Sequence, residues 1–547
     1  MRCTGVACLL VIELLFGCGE VKKKQTSNSR TGSAVSDVRT SSDAAGNVQE
    51  AASKTPPQVI VIGGAAAPEN PGTPIPPGEN KPSICTPTDL AAISINAGGS
   101  YVLACDIDLD GLAWVPFVFS GSLDGQGHTI KNMKLTANTT STLLSLGLFT
   151  SLTDGATVKN LTLSNFVLNC NAASASNDLV FNSCGALAGV SKGTVTSVTV
   201  TDVTLANNST ITADGYYRTA LGGLLGTMSG GSINDCSTTG SISVTQPTGS
   251  SFGIGGGTYS GGLIGDVVGD STISRARAAV AIMNPGGAGP NNYLTFAGGL
   301  IGLADGSATV TVADSQASGQ VGASVAAGGL IGGIGAWNGT GYGQMTALTV
   351  VHSSASGLSV SQNDAGGLVG YVMLDVGSNT LNIKTSYATG GARAPTAGGL
   401  IGDSWTEGST LNLANCYASG ASGSSTTDSR AAGGLFGSLL WASGDKPEPT
   451  LAVTNCYANG AVTGSASSND LGGWVGNFSG TATVANFTSS IWNRSITGVV
   501  RAFGNVVSSS NAYAVSSAAM SSQSTFVGWD FTNTWIMPAG GGAPQLR

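Results

Sequence analysis

Charge is scarce in this chain of 547 residues. Charged residues are 10% of it, with 22 Lys and Arg against 30 Asp and Glu, for a net charge of −8. Such a balance offers no basic face and argues against a nucleic-acid binder. Histidine is nearly missing. His128 and His352 are the two present, and neither sits in a His-Glu-x-x-His spacing. A Ser-His-Asp triad would have only these two to draw on, and no Gly-x-Ser-x-Gly elbow is framed by a strand and a helix. Helical periodicity is absent from every 12-residue stretch beyond the first apolar run, which excludes a helical solenoid. That run, Val6 to Phe16 with Glu13 inside it, is too short to span a bilayer as a helix. No cofactor motif is present: no glycine phrase is followed by the Gly-Lys-Ser/Thr of a phosphate loop.

Glycine, by contrast, is abundant, at 82 residues, and much of it lies in one recurring phrase. The phrase reads Gly222-Gly223-Leu224-Leu225-Gly226 and returns as Gly261-Gly262-Leu263-Ile264-Gly265. Further copies centre on Gly299, Gly329, Gly367, Gly399, Gly434 and Gly473, with weaker ones at Gly147 and Ala186. Successive copies are 30 to 39 residues apart. A period in that range marks a solenoid, a propeller or an array. After each phrase comes a segment of period-2 alternation ending in a turn, such as Ser409 to Gly420 or Thr450 to Tyr457. A propeller blade needs four strands, and each repeat has room for about three. The pattern therefore predicts an all-β fold, a right-handed parallel β-helix of one coil per repeat. Leu224, Leu263, Leu300, Leu330, Leu368, Leu400 and Leu435 would form an interior ladder. The paired glycines would supply tight corners, positive φ and close backbone approach.

The predicted organisation has five parts. Residues 1–17 read as an export signal whose end runs into Cys18, as Leu15-Phe16-Gly17-Cys18. This resembles the bacterial lipobox, which implies lipidation (palmitate) of Cys18 and, with Gly19 next, an outer-membrane address facing the cell exterior. An ordinary signal peptide is the alternative. Residues 18–83 read as a disordered Ser/Pro/Gly-rich tether carrying Lys22-Lys23-Lys24. Residues 84–145 are N-terminal capping coils, 146–490 the solenoid, and 491–547 a C-terminal cap. The aromatics Trp492, Phe503, Tyr513, Phe526, Trp529, Phe531 and Trp535 are expected to close the last coil, or to form a ligand shelf.

The glycine phrases resemble the GLUG motif of bacterial surface and adhesin-like proteins. The flanking pieces Tyr101–Leu135 and Phe526–Arg547 resemble the segments that surround those repeats. The resemblance implies an extracellular binding or structural role, with a glycan, host-cell or bacterial-surface ligand as partner and the membrane reached through the N-terminal lipid. Trp337, Tyr342, Trp405 and Trp441, in loops after the phrase, are the candidate contacts, or they fold onto the solenoid wall.

The enzymatic rival is a polysaccharide-active β-helix, a lyase or hydrolase with converging carboxylates. Its candidates are Asp266, Asp270, Asp305, Asp314, Asp364 and Asp403. Asp266 and Asp403 follow the phrase at matching positions, but four coils apart, roughly 19 Å at the strand spacing. Asp106, Asp108, Asp110 and Gly111 imitate half a calcium loop, but the twelfth position is Phe117. No metal is assigned there. Cys85 with Cys105, and Cys170 with Cys184, are near enough in sequence to pair. Cys416 and Cys456 occupy matching sites in adjacent repeats, as a disulfide or as free buried thiols.

Overall fold

The computed structural model describes residues 81–547, apart from 140–142, 175–179, 212–216, 246–256, 284–293, 336–344, 375–378, 424–429, 442–448, 465–469 and 480–485. The export signal with Cys18, and nearly all of the tether, lie outside the described residues.

The glycine phrases stack on one another. Gly222 pairs beside Gly261, Gly261 beside Gly298, and the series continues through Gly328, Gly366, Gly398, Gly433 and Gly472. All these pairings are parallel, so each repeat is one coil of a parallel β-solenoid. Repeats of unequal length keep this register because the difference falls in loops. One coil shows the common course: Thr396–Gly398, Ile401–Thr406, Thr410–Ala414, Tyr417–Ala418 and Ser422–Gly423. The first of these is an inbound strand, the glycine corner follows, and the second is an outbound strand. The last three form a long, bent face. Inbound strands build a ten-stranded sheet, outbound strands an eleven-stranded sheet, and the long faces a third.

The seven ladder leucines are each fully buried. Each should contribute roughly 1.5–3 kcal/mol of burial. In the last full phrase Trp474 takes the leucine's place and stacks on Phe487, ring centroids 4.6 Å apart.

The glycines act differently from expectation. No glycine of the eight strong phrases has positive φ. A Cβ on the second glycine would strike the carbonyl oxygen of its counterpart in the next coil, as Gly367 would strike Gly399. It would also lie 2.8 Å from the Ala388 Cβ across the interior. Close approach of backbones is the reason for glycine here, and left-handed turning is not.

The left-handed residues lie elsewhere, in the bend of the long face. Asp314, His352, Thr385, Asn415 and Asn455 have φ between 45° and 55° in five successive coils. Asn and Asp tolerate this region better than most side chains. The bend turns the next residue inward: Ser315, Ser353, Ser386, Cys416 and Cys456 are all fully buried. Each Oγ or Sγ donates to the carbonyl two residues back, at 2.7 Å for Ser315 and 3.3 Å for Cys416. It then accepts from the amide of the preceding coil: Ser315 N to Ser353 Oγ, Ser353 N to Ser386 Oγ, Cys416 N to Cys456 Sγ and Cys456 N to Ser490 Oγ. Cys416 and Cys456 are thus free thiols standing where other coils have serine. Cys85–Cys105 and Cys170–Cys184 are disulfides, with Cα–Cα 4.8 and 6.5 Å.

The first described strand, Ser83–Ile84, pairs parallel with Val102–Leu103. A short helix, Pro87–Ala92, follows. Its capping box joins Thr86 and Asp89, and it buries Leu90 over the first coil. At the other end the aromatics divide into two groups. Phe487, Trp492 and Phe503 close the interior around Trp474. Phe526, Trp529 and Trp535 instead lie on the outer side, over Tyr417 and Tyr457. These tyrosines stack 4.9 Å apart with rings 2° from parallel, in step with the coils.

Candidate functional site

Alternation in short strands sends every second side chain away from the main core. In the inbound and outbound sheets those side chains do not reach water. They meet in a second, thinner interior on the far side of the glycine corner, with Tyr259, Phe296, Leu303, Ala326, Tyr371 and Met373 as its apolar part. A residue three before the second phrase glycine of one coil faces the residue four after that glycine in the next coil. Ser183 Oγ thus bonds Thr227 Oγ1 at 2.7 Å. Phe296 fills the space over Gly333, where a Cβ would come within 2.5 Å of the ring.

Two groups of acids occupy this interior. In the first, Arg218 donates through Nε to Asp266 Oδ2 at 2.9 Å and through Nη1 to Asp305 Oδ2 at 3.2 Å. Its guanidinium also lies 4.9 Å from the Tyr259 ring centroid. Burial pushes the Asp266 carboxyl up to about 6; Arg218 pulls it down, and the Asp305 charge adds to the rise.

The second group is Asp364 on an inbound strand and Asp403 on the next coil's outbound strand, each 6% exposed. Asp403 Oδ1 accepts from the Ser404 amide at 2.8 Å, and Ser438 bonds the same carboxyl. Thr396 bonds Asp364, whose Oδ1 has no hydrogen-bond partner among the described residues. Burial first, then the Asp403 charge, raises the Asp364 carboxyl well above the ordinary range. Burial also brings Asp403 up to about 6, and Arg430 lowers both through space.

The six candidate carboxylates therefore separate. Asp266 joins Asp305, and Asp364 joins Asp403. Asp270 is bound to the Thr309 amide at 2.7 Å in an exposed position. Asp314 is a bend residue 3.4 Å from His352 Nδ1. Comparing the same position in different copies finds none of these partnerships. For Asp364 and Asp403 the signal is the offset, three before one phrase and four after the next; Asp266 and Asp305 instead lie four and six after the second glycines of adjacent phrases, and Arg218 and Arg430, five and four before theirs, carry no signal of their own. Both acid groups are enclosed between sheets, so a polymer does not reach them as the strands stand.

Among the candidate contacts, Trp405 is half-buried and its Nε1 donates to Glu407 Oε1 at 3.1 Å, so it lies on the solenoid wall. Trp441 ends an outbound strand, paired with Thr406, and its side chain lies outside the described residues. Trp337 and Tyr342 lie outside them altogether. The half calcium loop is an ion-pair row: Asp108 and Asp110 meet Lys131 and Lys134 at 3.4 and 2.8 Å, and Asp106 meets His128 at 3.3 Å. Among the described residues no group of three or more His, Cys, Asp or Glu could hold a metal ion.

No family model matches this chain. A curated relative, Halomucin of Haloquadratum walsbyi, is 33% identical over 176 residues. The match takes in 28% of this chain, and the chain spans 2% of Halomucin's length. Among solved structures, an IgA1 protease is similar at 21% identity with TM-score 0.37, over 55% of this chain and 21% of that one. A Bacteroides ovatus protein described as a candidate immunoglobulin A1 protease is similar at 14% identity with TM-score 0.26, over 86% of this chain and 93% of that one.

Proposed function

We propose that the chain is a surface-displayed, lipid-anchored β-solenoid that presents loops for binding and holds them away from the membrane, and that it is not built for catalysis. The observation that carries this reading is the uniform course of the coils. Ten inbound and eleven outbound strands stack in step, and the segments of varying length fall at two junctions of the coil, from the long face to the inbound strand and from the outbound strand to the long face. Solenoids use such ribbed surfaces for extended partners. The carboxylates that an enzyme would need are enclosed, and the irregular sequence that gives specificity is in the loops. The segments 336–344, with Trp337 and Tyr342, and 442–448 are the proposed contacts, for a glycan or a protein of another cell surface. Cys18 is the proposed acylation site, and the outer membrane the proposed address.

The test has two arms. Metabolic labelling with a palmitate analogue should mark the wild-type chain and not Cys18→Ala, and protease added to intact cells should cleave the chain. The purified protein should retain a ligand on a glycan and cell-binding array, and Trp337→Ala with Tyr342→Ala should reduce retention at least fivefold. Labelling of Cys18→Ala equal to wild type would overturn the anchor. Retention unchanged in the double variant would overturn the proposed contacts.

A further inference from the structure

The terminal coils of a solenoid ordinarily turn a polar outer face to water. Here both turn apolar side chains outward. At the C-terminal end the backbone is closed. Arg501 bridges Ser510 antiparallel, and the Gly473 and Trp474 amides donate to the Arg501 and Ala502 carbonyls at 2.7 and 2.9 Å. Yet Ile496, Val500, Val507 and Tyr513 are exposed there, Val507 most, at 69%. Tyr513 holds a left-handed φ of 54° and stacks on Trp474, ring centroids 5.6 Å apart, so the plug of the interior is itself an open aromatic ring. At the N-terminal end Trp114 is buried and donates to the Leu148 carbonyl at 2.8 Å, while Ile95, Leu112 and Val115 are exposed. Among the described residues from Phe117 to Trp492, Met283 is the one large apolar side chain left exposed. The wall of the solenoid is polar, and the apolar exposure is gathered at its two ends and on the outer cap, at Val527 and Ile536.

The two ends also carry opposite charge. From Ser83 to Ile130 the charged residues are Asp89, Asp106, Asp108, Asp110 and Asp124, with no Lys or Arg. Lys131, Lys134 and Lys159 pair with three of these, which leaves Asp89 and Asp106. From Ile491 to Trp529 the charged residues are Arg494 and Arg501, with no Asp or Glu. We propose that copies of this chain associate head to tail, the C-terminal end of one seated on the N-terminal end of the next. The apolar groups of the two ends meet, and the arginines face the acids. Contact between like ends would instead set Arg494 and Arg501 against their own counterparts. A heterologous contact of this kind leaves each copy one free end of each sort, so copies extend in a row. So few apolar side chains suit a weak contact, formed where copies are crowded. It lies apart from the loops proposed for ligand binding and does not rest on that reading.

The test uses the purified full chain carrying Cys18→Ser, so that no acyl group adds an association of its own. Sedimentation velocity from about 1 to about 100 µM should show monomer giving way to dimer and longer species. Val507→Asp adds an acid to the end that meets acids, and Val115→Lys adds a base to the end that meets arginines. Each should weaken association at least tenfold and leave the unfolding temperature unchanged, since both side chains are exposed. Each variant keeps one unaltered end, so an equal mixture of the two should recover dimer. Met283→Asp, on the wall, should associate as the parent chain does. A parent chain that stays monomeric at about 100 µM would overturn the proposal. Loss of association in Val507→Asp but not in Val115→Lys would overturn it in favour of contact between like ends. Loss in Met283→Asp equal to that in the end variants, or a mixture that stays monomeric, would overturn it as well.

Discussion

At the residue scale the repeat is a set of steric and hydrogen-bonding requirements with little tolerance. The second phrase glycine has backbone of the next coil on one side and an alanine across the interior on the other. Gly399→Ala forces its new Cβ onto the Gly434 carbonyl and within 2.7 Å of the Ala418 Cβ. It should destabilise the chain by about 2–4 kcal/mol, whereas Gly540→Ala, with nothing within 4 Å, should be neutral. Urea unfolding of the two variants side by side checks this. Cys416 makes the contrary case. It stands in a row of serines, so Cys416→Ser should cost less than about 1 kcal/mol, and Cys416→Val, which cannot bond the Ala414 carbonyl, about 1–3 kcal/mol. The glycine phrase was legible in the sequence because its spacing is nearly constant. The bend was not, since Asp314, His352, Thr385 and Asn415 share a backbone angle and no side-chain chemistry.

At the scale of elements, the inbound and outbound strands have two buried faces each. Two-sided burial explains why they lack a clean polar-apolar alternation and why their acids looked scattered. The pairing of Asp364 with Asp403 is a relation between strands of different coils, and no window on one repeat contains it. The Arg218 group yields a pH dependence of definite sign. Asp266 titrates at about 6 when folded and near 3.9 when unfolded. Between those values the folded chain holds a proton that the unfolded chain has lost. Stability should therefore fall as pH rises from about 4 to about 6, by up to about 3 kcal/mol from this group, and level off above. Thermal unfolding across pH 4.5–7.5 should show that slope, and Asp266→Asn should flatten part of it. Arg218→Met at pH 7.5 leaves two buried carboxylates without their partner. It should cost about 3–5 kcal/mol, well beyond the effect of Lys134→Met, which breaks an exposed pair. Equal losses in the two variants would contradict the assigned burial.

At the scale of the whole molecule, a parallel solenoid of one coil per repeat was readable from the period and from the leucine following each glycine pair. Capping at both ends was readable too, from composition. The doubling of the C-terminal cap was not. It depends on Tyr417 and Tyr457 stacking on the outer face, where Trp529 and Trp535 cover them. Tyrosine at those positions looks like any outward strand residue until the coils are stacked. Function was not readable in the same way, because the regular part of the sequence is consumed by folding and the irregular part lies in loops.

The claim on which all of this rests is that one repeat is one coil, each paired in parallel with the next. It is tested most directly by spin-label distances along one row of the long face. Thr194, Ser232, Thr272, Thr311, Thr349, Asn382 and Asn412 occupy successive rungs of that row. Labels at Thr194 and Thr349 should lie about 19 Å apart, and labels at Thr194 and Asn412 about 29 Å, a gain of about 4.8 Å for each coil. Distances that fail to grow with the number of intervening repeats, or that shorten as the row closes on itself, would contradict the account.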